Sequence, residues 1–171
     1  MISALVIASR FIQLGIESGK PVTPMKLQKL IYLAHGIHLA RYGKPLIVEN
    51  IEAWAYGPVV PKVYDFFKSW GNQPIVDNVE FRLSVGGHIL DSNLDIFTDE
   101  LDETINYAWG IAKDLSGIQL SNWSHSVGSP WEQSYTVENR NQPIDNGMIG
   151  DYFRNTMKIG YEYDQQAHPA A

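Results

Sequence analysis

Thr23-Pro24-Met25-Lys26-Leu27-Gln28-Lys29-Leu30-Ile31-Tyr32-Leu33-Ala34-His35-Gly36-Ile37-His38-Leu39-Ala40-Arg41-Tyr42-Gly43 reads as one helix with both of its ends marked. Thr23 offers a hydroxyl to the first turn, and Pro24 suits the first helical position, where a missing N–H costs nothing. Gly43 can take the left-handed conformation that closes a helix. The spacing predicts a helix over residues 24 to 42, with Leu27, Leu30, Ile31, Ala34 and His38 along its buried stripe. Lys26 stands in the first turn, where positive charge opposes the helix dipole, so it is expected to answer to a neighbouring group.

Upstream, Ile2, Leu5, Ala8, Ile12 and Ile16 recur at helical intervals up to Gly19, which predicts an amphipathic helix. The short Gly19-Lys20-Pro21 connection predicts antiparallel packing of the two helices, with Leu5, Ala8 and Ile12 facing Leu27, Ile31 and Ala34. Downstream, Leu46-Ile47-Val48 and Ile51-Glu52-Ala53-Trp54-Ala55-Tyr56 are short runs bounded by Pro45 and Gly57-Pro58, so they read as extended segments or one strand and a turn. Pro61 opens a further helix with an apolar face of Val63, Phe66, Phe67 and Trp70, closed by Gly71. Residues 72 to 97 read as a weak hairpin or variable loop, with Gly86-Gly87 able to form its turn. Thr98 caps a second strong helix carrying Leu101, Ile105, Ala108, Trp109, Ala112 and Leu115. Ser116 and Gln119 have capping-box spacing and start a short helix that Gly128-Ser129-Pro130 is expected to end. Asp145 caps a last helix, with Ile144 and Ile149 spaced as a hydrophobic staple and Tyr152 and Phe153 on its buried face. The expected architecture is mainly α: a single compact helical domain over residues 1 to 157 with a small β-hairpin or extended insertion, and a loose tail over 158 to 171.

Composition narrows the function. With 171 residues and 44% hydrophobic content, the chain can bury a sizeable core. The 19 acidic and 13 basic side chains leave a net charge of -6, which argues against direct nucleic-acid binding. The absence of cysteine excludes disulfides and thiolate zinc sites, and makes the cytoplasm the expected compartment. Residues 1 to 16 are apolar, but no basic region precedes them and Arg10 interrupts them, so they do not read as a signal peptide. No apolar run is long enough to cross a bilayer, so no membrane partner is expected.

The residues able to carry chemistry are few. His35 and His38 are three apart on a helix, but no carboxylate completes a metal site; His38 reads as an interhelix hydrogen-bonder and His35 as a surface side chain. His125 lies among Ser124, Ser126 and Ser129 without a nucleophile elbow or an orienting carboxylate, and reads as a tie between its loop and the core. There is no Walker loop and no dinucleotide fingerprint, and no cofactor or metal is expected. What stands out is aromatic: Trp54, Tyr56, Tyr64 and Trp70 crowd together with Pro58 and Pro61, the composition of an anchor-rich contact surface.

Three stretches resemble the Panacea domain, a phage-associated family also described as SocA/GepA-like. They are Thr23-Pro24-Met25-Lys26-Leu27-Gln28-Lys29-Leu30-Ile31-Tyr32, then Gly43-Lys44-Pro45-Leu46, then Ile51 through Tyr64 with its Trp54-Ala55-Tyr56-Gly57-Pro58 core. Ser124-His125-Ser126 and Pro130-Trp131 are similar to the family's later signature. On this resemblance Thr23, Pro24, Leu27, Leu30, Gly43, Gly57, Pro58, Pro61, His125, Pro130 and Trp131 are signature residues of the scaffold. The resemblance implies an antitoxin that neutralises a cognate toxin protein by direct contact, and a helical fold. It also implies an alternative, an adaptor that delivers its toxin to a AAA+ protease. Some relatives carry an added helix-turn-helix domain, for which this chain is expected to have no room.

The leading expectation is therefore a binding module and not an enzyme. Lys26, Lys29, Tyr32, Trp54, Tyr56 and Tyr64 are its candidate partner-binding residues, and occlusion of the toxin is its mechanism. A third reading is a hydrolase that uses His125 with Tyr32 or Glu52 as acid and base. The oligomeric state is not specified by any residue pattern.

Overall fold

The central helix has no solvent face. In the computed structural model, which describes residues 1–76, 83–85, 88–90 and 98–158, the helix spans Pro24–Tyr42 (α2) and every residue from Lys26 to Ala40 is buried. Five helices and a strand surround it: α1 (Ala4–Glu17), α3 (Pro61–Phe67), α4 (Asp99–Ala112), α5 (Gly117–Ser124), α7 (Asn146–Met157) and β2 (Gly57–Val59) all pack on α2. The predicted single apolar stripe is thus corrected to burial on every side, and His35, read as a surface residue, lies in the interior. An all-round apolar helix would meet the same demand with less sequence complexity. This one instead buries Lys26, Gln28, Lys29, His35 and His38 among its leucines and isoleucines.

The remaining elements follow their local signals closely. The Thr23 hydroxyl accepts from the Lys26 amide at 3.3 Å, and Gly43 ends α2 with φ of 63°. Both halves of the Ser116–Gln119 capping box form at the start of α5, and Asp145 caps α7 by accepting from the Met148 amide at 2.9 Å. Lys26 answers to the end of α4: its ammonium donates to the Lys113 carbonyl at 2.7 Å and sits 5.6 Å from the centre of the Trp109 ring.

Three points differ from expectation, and a fourth agrees with it. Ser129 and Pro130 do not merely end α5; they cap and open another short helix, α6 (Pro130–Ser134), in which Ser129 accepts from the Glu132 amide. Phe66 is turned outward instead of joining Val63 and Phe67 in the core. The Ile51–Tyr56 run becomes β1 (Glu52–Trp54), paired antiparallel to β2 across an Ala55–Tyr56 turn. On its other edge β1 takes a third strand, β5 (Gln142–Pro143), that no local pattern announces. A second antiparallel pair, β3 (Leu83–Val85) and β4 (His88–Leu90), falls in the segment read as a weak hairpin. Its Gly86-Gly87 turn and the tail over 159–171 lie outside the described residues. The architecture is mainly α, and no helix among the described residues is long and apolar enough to cross a membrane.

Gly36 of α2 lies directly against α7. A Cβ built on Gly36 would stand 2.4 Å from the Phe153 ring, which itself meets Tyr32 edge-on at 5.5 Å and Trp123 at 5.8 Å between centroids. In an exposed helix, replacing glycine with alanine stabilises by about 0.5–1 kcal/mol. At Gly36 the sign is expected to reverse, with Gly36→Ala destabilising by about 1–3 kcal/mol through overpacking. Gly110, on α4 with open space around it, supplies the control: Gly110→Ala is expected to stabilise. Urea unfolding midpoints of the two variants check this pair of opposite signs.

Candidate functional site

From Trp54 to Val60 the chain runs out along β1, turns, and returns along β2. Every second carbonyl on this path is taken by a side chain from a helix. The Trp131 indole of α6 donates to the Trp54 carbonyl at 2.7 Å, and the Ser121 hydroxyl of α5 donates to that of Tyr56 at 2.9 Å. The Lys29 ammonium of α2 donates to the Pro58 carbonyl at 2.9 Å. Gln28 grips Val60 twice, accepting from its amide at 2.8 Å and donating to its carbonyl at 3.3 Å. A β-strand edge would otherwise present these groups to another strand or to water. Here the helices supply the donors, and the hairpin is clamped without a fourth strand.

Gly57 permits the close approach. Its φ of 103° is one that side-chain-bearing residues rarely adopt, and a Cβ there would sit 2.7 Å from the Ser124 hydroxyl and 2.8 Å from the Lys29 ammonium. Pro58 lacks an N–H, so at the sheet edge it leaves no donor unpaired.

This geometry sorts the sequence-derived candidates. Lys29 is 1% exposed and Tyr32 2%, and the Lys26 ammonium is engaged with Lys113, so these three are corrected from contact residues to interior ones. The reason is the same for all: α2 is enclosed on every side. Trp54 is half-buried, whereas Tyr56 is 73% exposed and Tyr64 42%. The Trp54 and Tyr64 rings meet at 4.9 Å and 59°, and Phe66 is exposed on the same short helix as Tyr64. Of the signature residues, Leu27 and Leu30 are core, Thr23, Pro24 and Gly43 shape the ends of α2, and Pro61 and Pro130 open α3 and α6. Two members of the clamp were not singled out in the sequence. Gln28 had a signal, a polar residue paired with Lys29 inside an apolar run; Ser121 had none.

The electrostatics of the clamp are unusual at Lys29. Burial lowers its ammonium to a pKa of about 7, and the Pro58 carbonyl is its one hydrogen-bond acceptor among the described residues. Burial also holds the Tyr32 phenol protonated far above its ordinary range, and its hydroxyl has no partner among the described residues.

His125 stacks on Trp131 at 3.8 Å, and Trp131 stacks on Tyr135 at 4.8 Å. Burial and then the Lys29 charge push His125 below the usual imidazole range, and its Nε2 is buried with no partner among the described residues. The serines around it serve the backbone: Ser124 donates to Ser121, Ser126 donates to Trp123, and Ser129 caps α6. None of these hydroxyls reaches His125, and the Glu52 carboxylate is bonded to the Trp54 indole instead. His35 and His38 diverge, to Asn146 of α7 at 2.8 Å and Thr104 of α4 at 3.1 Å, so they do not converge on one ion. No cluster able to hold a metal forms among the described residues.

The Lys29 shift fixes a sign. The unfolded chain keeps this proton up to about 10.5 while the folded chain releases it near 7, so stability is expected to rise with pH across that window. Lys29→Met should show a shallower rise when urea unfolding is compared at about pH 7 and about pH 10. Lys26, also lowered by burial, contributes a slope of the same sign.

Comparison with known proteins supplies the family. The pattern of the family described as "Antitoxin SocA-like, Panacea domain" matches residues 27–132, which hold all but the first turn of α2, the clamped hairpin, α3, α4, α5 and the first residues of α6. The chain is 31% identical over 132 residues to "Antitoxin SocA" of Caulobacter vibrioides (strain NA1000 / CB15N), an alignment covering 77% of this chain and 69% of that protein. No solved structure matches the chain. A match of this extent places the chain in the SocA-like, Panacea-domain antitoxin family.

Proposed function

We propose that this protein is an antitoxin that neutralises a toxin by binding it directly, through the face made by the hairpin tip and α3. One observation carries the reading: Tyr56 is 73% exposed while its own carbonyl is hydrogen-bonded to Ser121. An exposed aromatic on a tethered backbone is poor design for a surface facing only water. It suits a binding anchor, because little conformational freedom remains to be lost on association. Tyr and Trp are also the residue types that dominate binding hot spots. Trp54, Tyr64 and Phe66 extend the same apolar ground, and Lys26, Lys29 and Tyr32 support it from within instead of touching the partner. The net charge of -6 speeds encounter with a basic toxin, one that itself acts on RNA for example.

The mechanism is occlusion, in which the bound antitoxin covers the toxin's working surface. The alternative, delivery to a AAA+ protease, makes a different demand. Neutralisation by purified components, with no protease present and with residues 159 to 171 removed, is the outcome expected for occlusion. Loss of neutralisation until a protease is added supports delivery. The toxin is sought as the product of the neighbouring reading frame, through growth arrest that co-expression of this protein relieves. Tyr56→Ala is expected to weaken toxin binding by about thirtyfold or more, with an unchanged unfolding midpoint. Full affinity in Tyr56→Ala and Tyr64→Ala together would remove the hairpin face from the interface.

A further inference from the structure

We propose that Trp54, Tyr64 and Glu52 form a receptor for one guanidinium or ammonium side chain carried by the partner. The inference rests on the docking reading above and names the chemistry it requires of the toxin. Glu52 and Trp54 flank the buried Ala53 on β1, so the alternation of the strand sets both on the same face. They are joined there: the indole Nε1 donates to Glu52 Oε2 at 2.8 Å, which fixes the carboxylate at the edge of the Trp54 ring. Tyr64 arrives from α3 with its centroid 4.9 Å from that of Trp54, the two planes inclined at 59°.

Each aromatic face carries negative potential, and a carboxylate at its rim deepens it. The nearby lysines do not neutralise this spot. Lys62 is paired with Glu49 at 2.9 Å and Lys68 with Asp65 at 2.9 Å, while no cation among the described residues pairs with Glu52. The result is a half-buried Trp54 ring and an exposed Tyr64 ring beside a carboxylate that has no cationic partner among the described residues, on a backbone held by Trp131 and Lys29. This is the donor set that recognises a cation on a planar or compact head, arginine above lysine because guanidinium also stacks. The chain's charge of -6 is of the sign that draws such a partner in.

The test uses the full chain and two probes, N-acetyl-arginine methylamide and its neutral counterpart N-acetyl-citrulline methylamide. The arginine probe is expected to shift the Trp54 indole N–H resonance saturably, the citrulline probe to leave it in place, and added salt to weaken the effect. Glu52→Gln keeps an oxygen acceptor for the indole, so the fold is expected to persist while the arginine response falls about tenfold. Absence of a saturable shift, or an equal response to citrulline, overturns the receptor.

With toxin in hand, the failures separate. A complex weakened by Glu52→Gln and by salt supports the receptor in its biological setting. A complex lost in Trp54→Ala but indifferent to Glu52→Gln and salt overturns the receptor and leaves the docking face standing. A complex indifferent to both substitutions overturns the receptor, and full affinity in Tyr56→Ala and Tyr64→Ala together overturns the docking face as well.

Discussion

A helix enclosed on every side must place the polar side chains it carries inward, and on α2 five of them find partners while the Tyr32 hydroxyl has none among the described residues. Each of the five reaches outward to its surroundings: Lys26 to the Lys113 carbonyl, Gln28 to both backbone groups of Val60, Lys29 to the Pro58 carbonyl, His35 to Asn146, and His38 to Thr104. An unpaired group in such a place costs about 1–3 kcal/mol. Any slip of α2 along its axis would break several of these pairs together. The polar residues thus fix which neighbour sits where, and the apolar residues supply the bulk of the burial energy.

The consequence for the surface is felt at the hairpin. Its edge is held by indole, hydroxyl, ammonium and amide donors from three helices, so its tip can present aromatic side chains without relying on them for its own stability. The residues through which the chain resembles its family divide accordingly. Gln28, Lys29, Gly57, Pro58 and Trp131 build the clamp, and Trp54, Tyr56 and Tyr64 lie on or beside what it holds out. A motif can be scaffold and still be the reason a contact surface exists, and that is the role proposed for this one.

Much of this was legible in the chain, and the limits have physical causes. The caps of α2, α4, α5 and α7 were readable because a cap is a local bargain between a side chain and an amide three residues on. The enclosure of α2 was not: periodicity reports one apolar stripe, and buried polar residues hide the others until their partners are known. Lys29 shows this most clearly, since nothing near it in sequence is its acceptor. Likewise β5 pairs with β1 across some ninety residues, and two residues, one of them proline, give no strand pattern to detect. Of the candidate site, the aromatic group around Trp54 and Tyr56 could be read as a cluster. Its exposure could not, because aromatic residues serve core and interface alike.

The most direct measurement is the amide hydrogen-exchange map of the protein alone and bound to its toxin. Residues 52 to 66 are expected to gain protection in the complex, while the enclosed α2 is expected to be protected in the free protein and to stay unchanged. Protection gained only on other faces, with residues 52 to 66 exchanging as before, would contradict this account.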